Sequence, residues 1–182
     1  MKAALLTIGD EILSGDTINT NSSWISKALE RDGCQVVCQL TVPDSRQQIS
    51  KGLDQLFSLS IDLILSTGGL GPTEDDVTLE TLFDYFNTKS GFDSDYWNTL
   101  KIRFSRFGYD IPDSNKSQAL IPEVGKVFPN PKGSARGLWF EKGKVTFMAL
   151  PGVPAEMKTM IEETVLPWVK EREPGSIHVQ TL

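Results

Sequence analysis

The sequence predicts an α/β domain in which helices cover both faces of a mostly parallel sheet. Short apolar runs of strand length alternate with amphipathic helical stretches three times before residue 88, and such alternation is typical of right-handed β-α-β crossovers. The runs LLTI and LILS are nearly all apolar, as expected for parallel strands buried on both faces. A length of 182 residues suits one domain, so we predict a single domain over residues 1–182.

The first half of the chain contains three predicted strand–helix pairs. The strands are residues 2–8, 35–42 and 61–66, and the helices are residues 19–32, 45–59 and 77–86. The first helix carries apolar residues at helical spacing and stops at Gly33, a residue type that favours helix ends. Pro43 ends the second strand, and Asp44 or Ser45 is then the expected N-cap of the second helix.

The second half is less regular, and residues 88–120 are expected to form a helical cap or subdomain over the sheet. Gly143 is expected to turn a hairpin between two later strands. The aromatic residues Tyr96, Trp97, Phe104 and Phe107 are interpreted as core rather than as a base-stacking platform. The predicted elements are helices at residues 93–107, 115–120 and 154–170, and strands at 127–128, 137–140, 145–150 and 177–182.

Composition and charge exclude several classes of function. The 24 acidic residues outnumber the 18 basic ones and give a net charge of −6, which disfavours a nucleic-acid-binding surface. No apolar stretch approaches the ~20 residues that a membrane-spanning helix needs. The N-terminus MKAALLTIGDEI turns acidic too early for a signal peptide. We therefore predict a cytoplasmic protein that binds neither nucleic acid nor membrane.

The stretch STGGLGPTEDDVT, residues 66–78, lies at a predicted strand-to-helix junction, where open parallel sheets bind ligands. Its glycines, Gly68, Gly69 and Gly71, allow a tight turn and a close approach of the backbone to a ligand. Backbone N–H groups at the start of the following helix favour an anion such as phosphate. The pattern matches neither GxxxxGK[ST] nor GxGxxG, and a plain turn explains the glycines about as well.

Acidic residues follow the same strand ends. Asp44, Asp75 and Asp76, with Asp10 or Glu11, are candidate oxygen ligands for Mg²⁺ or a similar ion. Such an ion neutralises phosphate charge and positions an attacking water, and one carboxylate can serve as general base. The alternative is that one residue of the Asp75–Asp76 pair only caps the third helix, but two acids beside three glycines favour a functional site.

Three further stretches are candidates for ligand contact. Asn19 and Asn21 either cap the first helix or reach a ligand near Gly9-Asp10-Glu11. Lys132 and Arg136, in the stretch NPKGSARG, either bind phosphate or are solvated loop charges. The stretch LPGVP, residues 150–154, follows a late strand and precedes the last long helix.

Six motifs together resemble a known family. They read GDEILSGDTINTN, VPDSRQQI, DLILSTGGLGPTEDDVT, NKSQALIP, PNPKGSARG and LPGVPAEM, in that order. The set resembles the N-terminal domain of CinA (competence/damage-inducible) proteins, in the MoaB/MogA-type molybdopterin-binding superfamily, over nearly the whole chain. The resemblance implies a three-layer α/β/α sandwich with a mostly parallel central sheet, the MogA-like fold.

The resemblance also implies an activity. CinA N-terminal domains are associated with metal-dependent hydrolysis of ADP-ribose to AMP and ribose 5-phosphate, favoured by Mg²⁺, Mn²⁺ or Co²⁺ and by K⁺. Two alternatives stay open: molybdopterin binding or adenylyl transfer in molybdenum cofactor biosynthesis, and a non-catalytic nucleotide-sensing domain. Leu70 stands where the transferases usually have threonine, which disfavours transfer. The family forms oligomers, so we expect a homodimer or homotrimer.

The resemblance and the loop positions together give a set of expected site residues. Asp44 and Asp76 are the expected catalytic acids, and Asp75 is expected to join them in holding the metal. The expected substrate- and phosphate-binding residues are Gly9, Asp10, Glu11, Gly15, Asn19, Asn21, Thr67, Gly68, Gly69, Gly71, Pro72, Thr73, Lys132, Gly133, Ser134, Pro151 and Gly152.

The chain departs from the family pattern in two ways. Residues 133–137 read GSARG where the usual loop resembles GTAPG, and Arg136 in place of proline adds a cation that is expected to alter substrate choice. CinA proteins also commonly carry a C-terminal amidase domain that acts on nicotinamide mononucleotide, and nothing in this sequence corresponds to it. We expect either a trimmed piece of such a protein or a stand-alone relative, and the strand-like ending IHVQTL favours the former.

Overall fold

A computed structural model describes residues 1–73 and 77–172 and confirms the predicted α/β fold. The strands are β1 Lys2–Ile8, β2 Gln35–Val42, β3 Leu63–Thr67, β4 Ser90–Phe92, β5 Leu120–Pro122, β6 Lys126–Phe128, β7 Gly137–Lys142 and β8 Val145–Leu150. The α-helices are α1 Asp10–Leu13, α2 Thr20–Arg31, α3 Arg46–Phe57, α4 Thr78–Tyr85, α5 Ser94–Ser105, α6 Pro154–Met160 and α7 Leu166–Arg172, with a 3-10 helix at Asp113–Ala119.

Six of the strands form one mixed sheet in the order β2-β1-β3-β8-β7-β6. The first four in this order run parallel to one another, whereas β7 and β6 are antiparallel to their neighbours. Gly143, with φ of 64°, turns the hairpin between β7 and β8 as predicted. Strands β4 and β5 pair separately as a short antiparallel ribbon.

Helices cover both faces of the sheet. Because successive strand residues point to opposite faces, Leu5 of β1 packs in one apolar cluster and Leu6 in the other. The first cluster contains Ile25 of α2 and Met157 of α6, and the second contains Leu53 of α3. The chain therefore has the three layers of an α/β/α sandwich, with the sheet in the middle.

Residues 88–120 contain β4, α5, the 3-10 helix and the first residue of β5. Leu100 is the one fully buried side chain in α5, and Phe107, just beyond its end, is 72% exposed. The expectation that the aromatic residues here form core is therefore wrong for Phe107. The reason is that α5 contacts the rest of the domain along a narrow face, so aromatic content alone does not measure burial.

Several features were not anticipated. Helix α1, strand β4 and strand β5 are three or four residues long, too short for a periodic pattern to reveal. The predicted helix 154–170 is interrupted by a π-helical turn at Ile161–Val165. The predicted strand at 177–182 lies outside the described residues. In the part of the chain that the structure describes, no helix is long and apolar enough to cross a membrane.

Candidate functional site

An open cleft of about 740 Å³ lies at the carboxyl ends of β1, β3 and β8. Strand order 2-1-3 reverses the direction of chain progression between β1 and β3, and open α/β sheets bind ligands at such a switch point. The cleft is lined by Ile8, Asp10, Glu11, Asp44, Gly68, Gly69, Leu70, Gly71, Pro72, Val77, Ser134, Ala135, Pro151, Gly152, Val153 and Glu156.

The glycine loop, residues 68–71, passes close to the end of β1. Gly68 has φ of +107°, and a Cβ atom there would overlap the carbonyl oxygen of Ile8. Its N–H donates to the carbonyl of Leu150 at 3.2 Å, which fixes the loop to β8. Gly69 has φ of +65° and no room for a Cβ beside Thr78. Both positions therefore require glycine for steric reasons, and the loop remains open to the cleft.

Asp44, which follows β2, lies against this loop. A Cβ atom on Gly69 would be 3.4 Å from Oδ1 of Asp44, and Oδ2 of Asp44 accepts the N–H of Asp10 at 3.1 Å. Gly9 connects the same two segments, because its N–H donates to the carbonyl of Val42 at 3.1 Å. The ends of β1, β2 and β3 thus bring together the predicted residues Asp10, Asp44 and Gly69.

Glu156 is a cleft-lining acid that is not among the residues predicted from the sequence. It lies in the first turn of α6 and accepts a hydrogen bond from Nδ2 of Asn130 at 2.6 Å. Oδ1 of Asn130 in turn accepts the N–H groups of Lys132 and Gly133. In the sequence, the Asn-Pro pair at residues 130–131 is a turn signal that marks this loop. Glu156 gives no comparable signal, because an acid in the first turn of a helix usually complements the helix dipole.

A smaller cavity of about 150 Å³ adjoins the cleft, with Ile8, Glu11, Gly68 and Gly152 lining both. Its lining includes the predicted residues Asn19, Asn21 and Thr67. Asn19 also caps α2 through the N–H of Ser22 at 3.0 Å, so capping and cavity lining are both observed. Asn21 donates to the carbonyl of Gly152 at 2.8 Å, which fixes the PGVP turn beside the cleft.

Other predicted residues lie elsewhere. Gly15 is exposed with open space around it, Lys132 and Gly133 line neither cavity, and Thr73 lines a third cavity of about 330 Å³ that shares Gly71 and Pro72 with the cleft. Asp75 and Asp76, predicted as metal and catalytic residues, lie outside the described residues. Apart from these residues, the structure brings most of the predicted glycine-loop and strand-end residues together in the cleft.

Arg136 is not the solvated loop charge that was one of the two alternatives considered from the sequence, and it does not line the cleft. Its guanidinium pairs with Asp93 at 2.7 Å, with the Arg136 side chain only 10% exposed, and lies 3.9 Å from the centre of the Tyr96 ring. The Tyr96 N–H, and then the guanidinium, hold the pKa of Asp93 below its ordinary value. Burial raises the pKa of Tyr96. Arg136 is therefore a largely buried cation that links its loop to Asp93, 43 residues away in sequence.

The described lining of the cleft contains no lysine, arginine or histidine. It contains four carboxylates, those of Asp10, Glu11, Asp44 and Glu156. Within residues 1–73 and 77–172, no group of three or more His, Cys, Asp or Glu residues is arranged to hold a metal ion. Mg²⁺ usually takes only one or two protein carboxylates and completes its shell with water and phosphate oxygens. Asp44 with Asp10 or Glu11 fits that donor set.

Comparison with known proteins defines the class of this domain and then its branch. Residues 4–171 match the model of a probable molybdopterin-binding domain. A CinA-like protein of Flavobacterium psychrophilum is 42% identical over 92% of the chain, and one of Salinibacter ruber is 39% identical over all of it. The chain belongs to the molybdopterin-binding domain family, in its CinA-like branch. It spans 40% and 44% of the lengths of these two relatives.

Solved structures agree with this assignment. The protein CinA from Thermoplasma acidophilum has a TM-score of 0.79 at 32% identity, with 94% of this chain and 96% of that chain covered. The tungsten cofactor synthesizing protein MoaB from Pyrococcus furiosus has a TM-score of 0.58 at 18% identity, with 93% and 95% covered. The second comparison shows the shared MoaB-like fold.

Proposed function

We propose that this domain is a metal-dependent nucleotide pyrophosphatase that hydrolyses ADP-ribose or a similar dinucleotide. Water attacks one phosphorus of the diphosphate, the bond from that phosphorus to the bridging oxygen breaks, and AMP and ribose 5-phosphate leave with the two protons of water shared between the new phosphate groups. The observation that carries the proposal is the combination of an open glycine loop with an acid-lined cleft at the switch point of the sheet.

The charge of the cleft supports a cation-dependent reaction. A diphosphate would meet four carboxylates and no basic side chain in the described lining, and like charges in a cleft repel unless a cation lies between them. Asp44 and one of its neighbours would hold a divalent ion, which supplies charge neutralisation and orientation of the diphosphate when bound. K⁺ is the proposed monovalent activator.

Residues of the chain would bind the phosphate groups and accept the proton of the attacking water. The three glycines of the loop have no side chains, so phosphate oxygens can approach the backbone there closely. Asp44 is held by the Asp10 N–H at 3.1 Å, which fixes its carboxylate beside Gly69. Asp44 and Asp76 are the proposed catalytic acids, one of them accepting the proton of the attacking water.

The test is the release of AMP from ADP-ribose by purified protein with Mg²⁺, Mn²⁺ or Co²⁺. We expect Asp44→Asn to lower kcat/KM about 100-fold or more, as for loss of a general base or metal-binding carboxylate. Asp110→Asn, at an exposed position outside the cleft, is the matched control and should keep wild-type activity. Absence of AMP with every metal, from folded protein, contradicts the proposal.

Molybdopterin binding with adenylyl transfer is the second candidate, and the match of residues 4–171 to the molybdopterin-binding family favours it. It predicts pterin binding that can be followed by fluorescence, together with ATP-dependent adenylylation of the pterin. A nucleotide-sensing role predicts calorimetric binding of ADP-ribose without turnover. Both rivals are separated from hydrolysis by the appearance or absence of AMP.

A further inference from the structure

Helix α5 contacts residues 130–137, a loop together with the first residue of β7, through side chains that donate to its carbonyls. Nη1 of Arg103 donates to the carbonyl of Gly133 at 2.9 Å, and Nη2 donates to that of Lys132 at 3.3 Å. The hydroxyl of Tyr96 donates to the carbonyl of Ser134 at 2.9 Å. Three successive carbonyls of the loop thus accept hydrogen bonds from one helix.

An ion pair holds the far end of the same loop. Arg136 pairs with Asp93, the N-cap of α5, at 2.7 Å, and its guanidinium stacks on the Tyr96 ring. The side chains of Arg136 and Asp93 are 10% and 26% exposed, so solvent screens this pair less than it screens a surface pair. We call Asp93, Tyr96, Arg103 and Arg136 the α5 clamp.

The clamp acts on a wall of the cleft. Ser134 and Ala135 line the cleft, and residues 130–136 belong to no helix or strand. Asn130 holds the loop from inside through the carbonyl of Ala135 at 2.9 Å and through Glu156. Because the loop has no ladder of backbone hydrogen bonds, these side chains determine where its cleft-lining residues lie.

We propose that α5 is the positioning element of this wall, with Tyr96 and Arg103 as positioning residues for the nucleotide. Neither side chain lines the cleft, so each acts through the loop and touches no reacting atom. The proposal rests on the proposed function only in naming a nucleotide as the ligand. Loss of the clamp should weaken binding and leave the chemical step intact, since Asp44 and the glycine loop are held by other contacts.

Two variants with matched controls test the clamp. Tyr96→Phe removes the hydroxyl and keeps the ring under Arg136, with Tyr109→Phe at an exposed position as control. Arg103→Met removes both donors and keeps the aliphatic stem, with exposed Arg106→Met at the end of the same helix as control. Arg103→Lys keeps a charged donor and should recover part of the effect.

Two measurements give the outcome. Amide hydrogen exchange over residues 130–137 should become faster in Tyr96→Phe and Arg103→Met, with the exchange of β1 and β3 unchanged. KM for ADP-ribose should rise about 3- to 10-fold in each variant, the range expected for loss of one hydrogen bond in Tyr96→Phe and of two exposed, weaker ones in Arg103→Met. The kcat should stay within about twofold of wild type. Both control variants should match the wild-type protein in both measurements.

The outcomes separate this inference from the proposed function. Unchanged exchange over residues 130–137 overturns the clamp, whatever the activity. Faster exchange with an unchanged KM also overturns it, because the contacts would then stabilise the loop without positioning the wall. If the wild-type protein releases no AMP, the proposed function fails, and hydrogen exchange together with the Kd of AMP and Mg²⁺ measured by calorimetry still decides the clamp.

Discussion

Gly68 shows how a single residue type shapes the cleft. Its φ of +107° lies in a region that side chains rarely adopt, and a Cβ would overlap the backbone of Ile8. Gly108 has φ of +77° but no neighbouring atom within 4 Å of the Cβ position. A side chain at Gly108 would meet only the strain of a positive φ, whereas a side chain at Gly68 would meet both that strain and steric overlap.

Gly68→Ala should lower the free energy of unfolding by roughly 3 kcal/mol or more, because overlap adds to strain. Gly108→Ala should cost about 1 kcal/mol, because only the strain of a positive φ remains. Urea denaturation of both variants measures the difference. Equal losses would mean that the end of β1 shifts to accommodate the methyl group.

Asp93 gives a pH dependence at the scale of one residue. Its pKa is lowered in the folded state by the Tyr96 N–H and Arg136, so the stability it contributes is present above the ordinary pKa near 4 and is lost as the pH falls through the folded-state value. Asp93→Asn should lower Tm at pH 7, and the gap from wild type should narrow below about pH 4.

Asp95→Asn, two positions further along in the first turn of α5, is the control for the effect of a negative charge near a helix N-terminus. The Tm of Asp95→Asn should stay close to that of the wild-type protein at pH 7 and at about pH 3. A gap for Asp93→Asn that is constant from pH 7 to pH 3 would show that the carboxylate contributes no charge-dependent stability.

At the scale of elements, β8 joins the two halves of the sheet, because it pairs with β3 on one side and with β7 on the other. Phe147 of β8 is fully buried, and its ring lies 5.2 Å from Phe86 and 6.4 Å from Phe140, measured between ring centroids. This aromatic group anchors β8 and β7 against the end of α4.

Phe147→Ala should lower the free energy of unfolding by about 3–5 kcal/mol, as expected for removal of a buried aromatic ring. Phe107→Ala is the matched control, because Phe107 is 72% exposed. This substitution should lower the free energy of unfolding by less than about 0.5 kcal/mol. Denaturant titration of both variants provides the comparison. A small loss at Phe147 would contradict the central position of β8 in the core.

At the same scale, prediction from sequence succeeded where apolar runs are long. Strands β1, β2 and β8 begin and end at the predicted residues. Burial on both faces leaves a clear apolar pattern in β1 and β8, whereas β2 is a partly exposed edge strand whose bounds follow from Gly33 before it and Pro43 after it. Helix α1 and the β4–β5 ribbon left none, since three or four residues define no period. The role of Arg136 was missed because its partner Asp93 belongs to a distant segment.

At the scale of the whole molecule, we expect the fold to form without a metal ion, because apolar packing accounts for its core. Two apolar clusters cover the two faces of the sheet, and the carboxylates of the cleft lie at its edge. Removing divalent ions with EDTA should therefore abolish AMP release and change Tm by less than about 2 °C. Unfolding on chelation, followed by circular dichroism, would instead identify a structural ion.

The sequence locates cleft-lining residues best where they directly follow strand ends. Asp44 and the glycines meet because the carboxyl ends of parallel strands share one edge. Glu156 and the loop 130–137 enter from later elements, and side-chain contacts such as that between Asn130 and Glu156 set their approach. Such contacts depend on three-dimensional distances that composition and spacing do not contain.

The lining of the cleft extends along the chain from Ile8 to Glu156. A small molecule that touches both the glycine loop and the 130–137 wall would therefore link early and late parts of the polypeptide into one cooperative unit. Occupancy should protect even remote segments of the sheet against unfolding, and a proteolytic fragment that ends before α6 would lack one side of the receptacle.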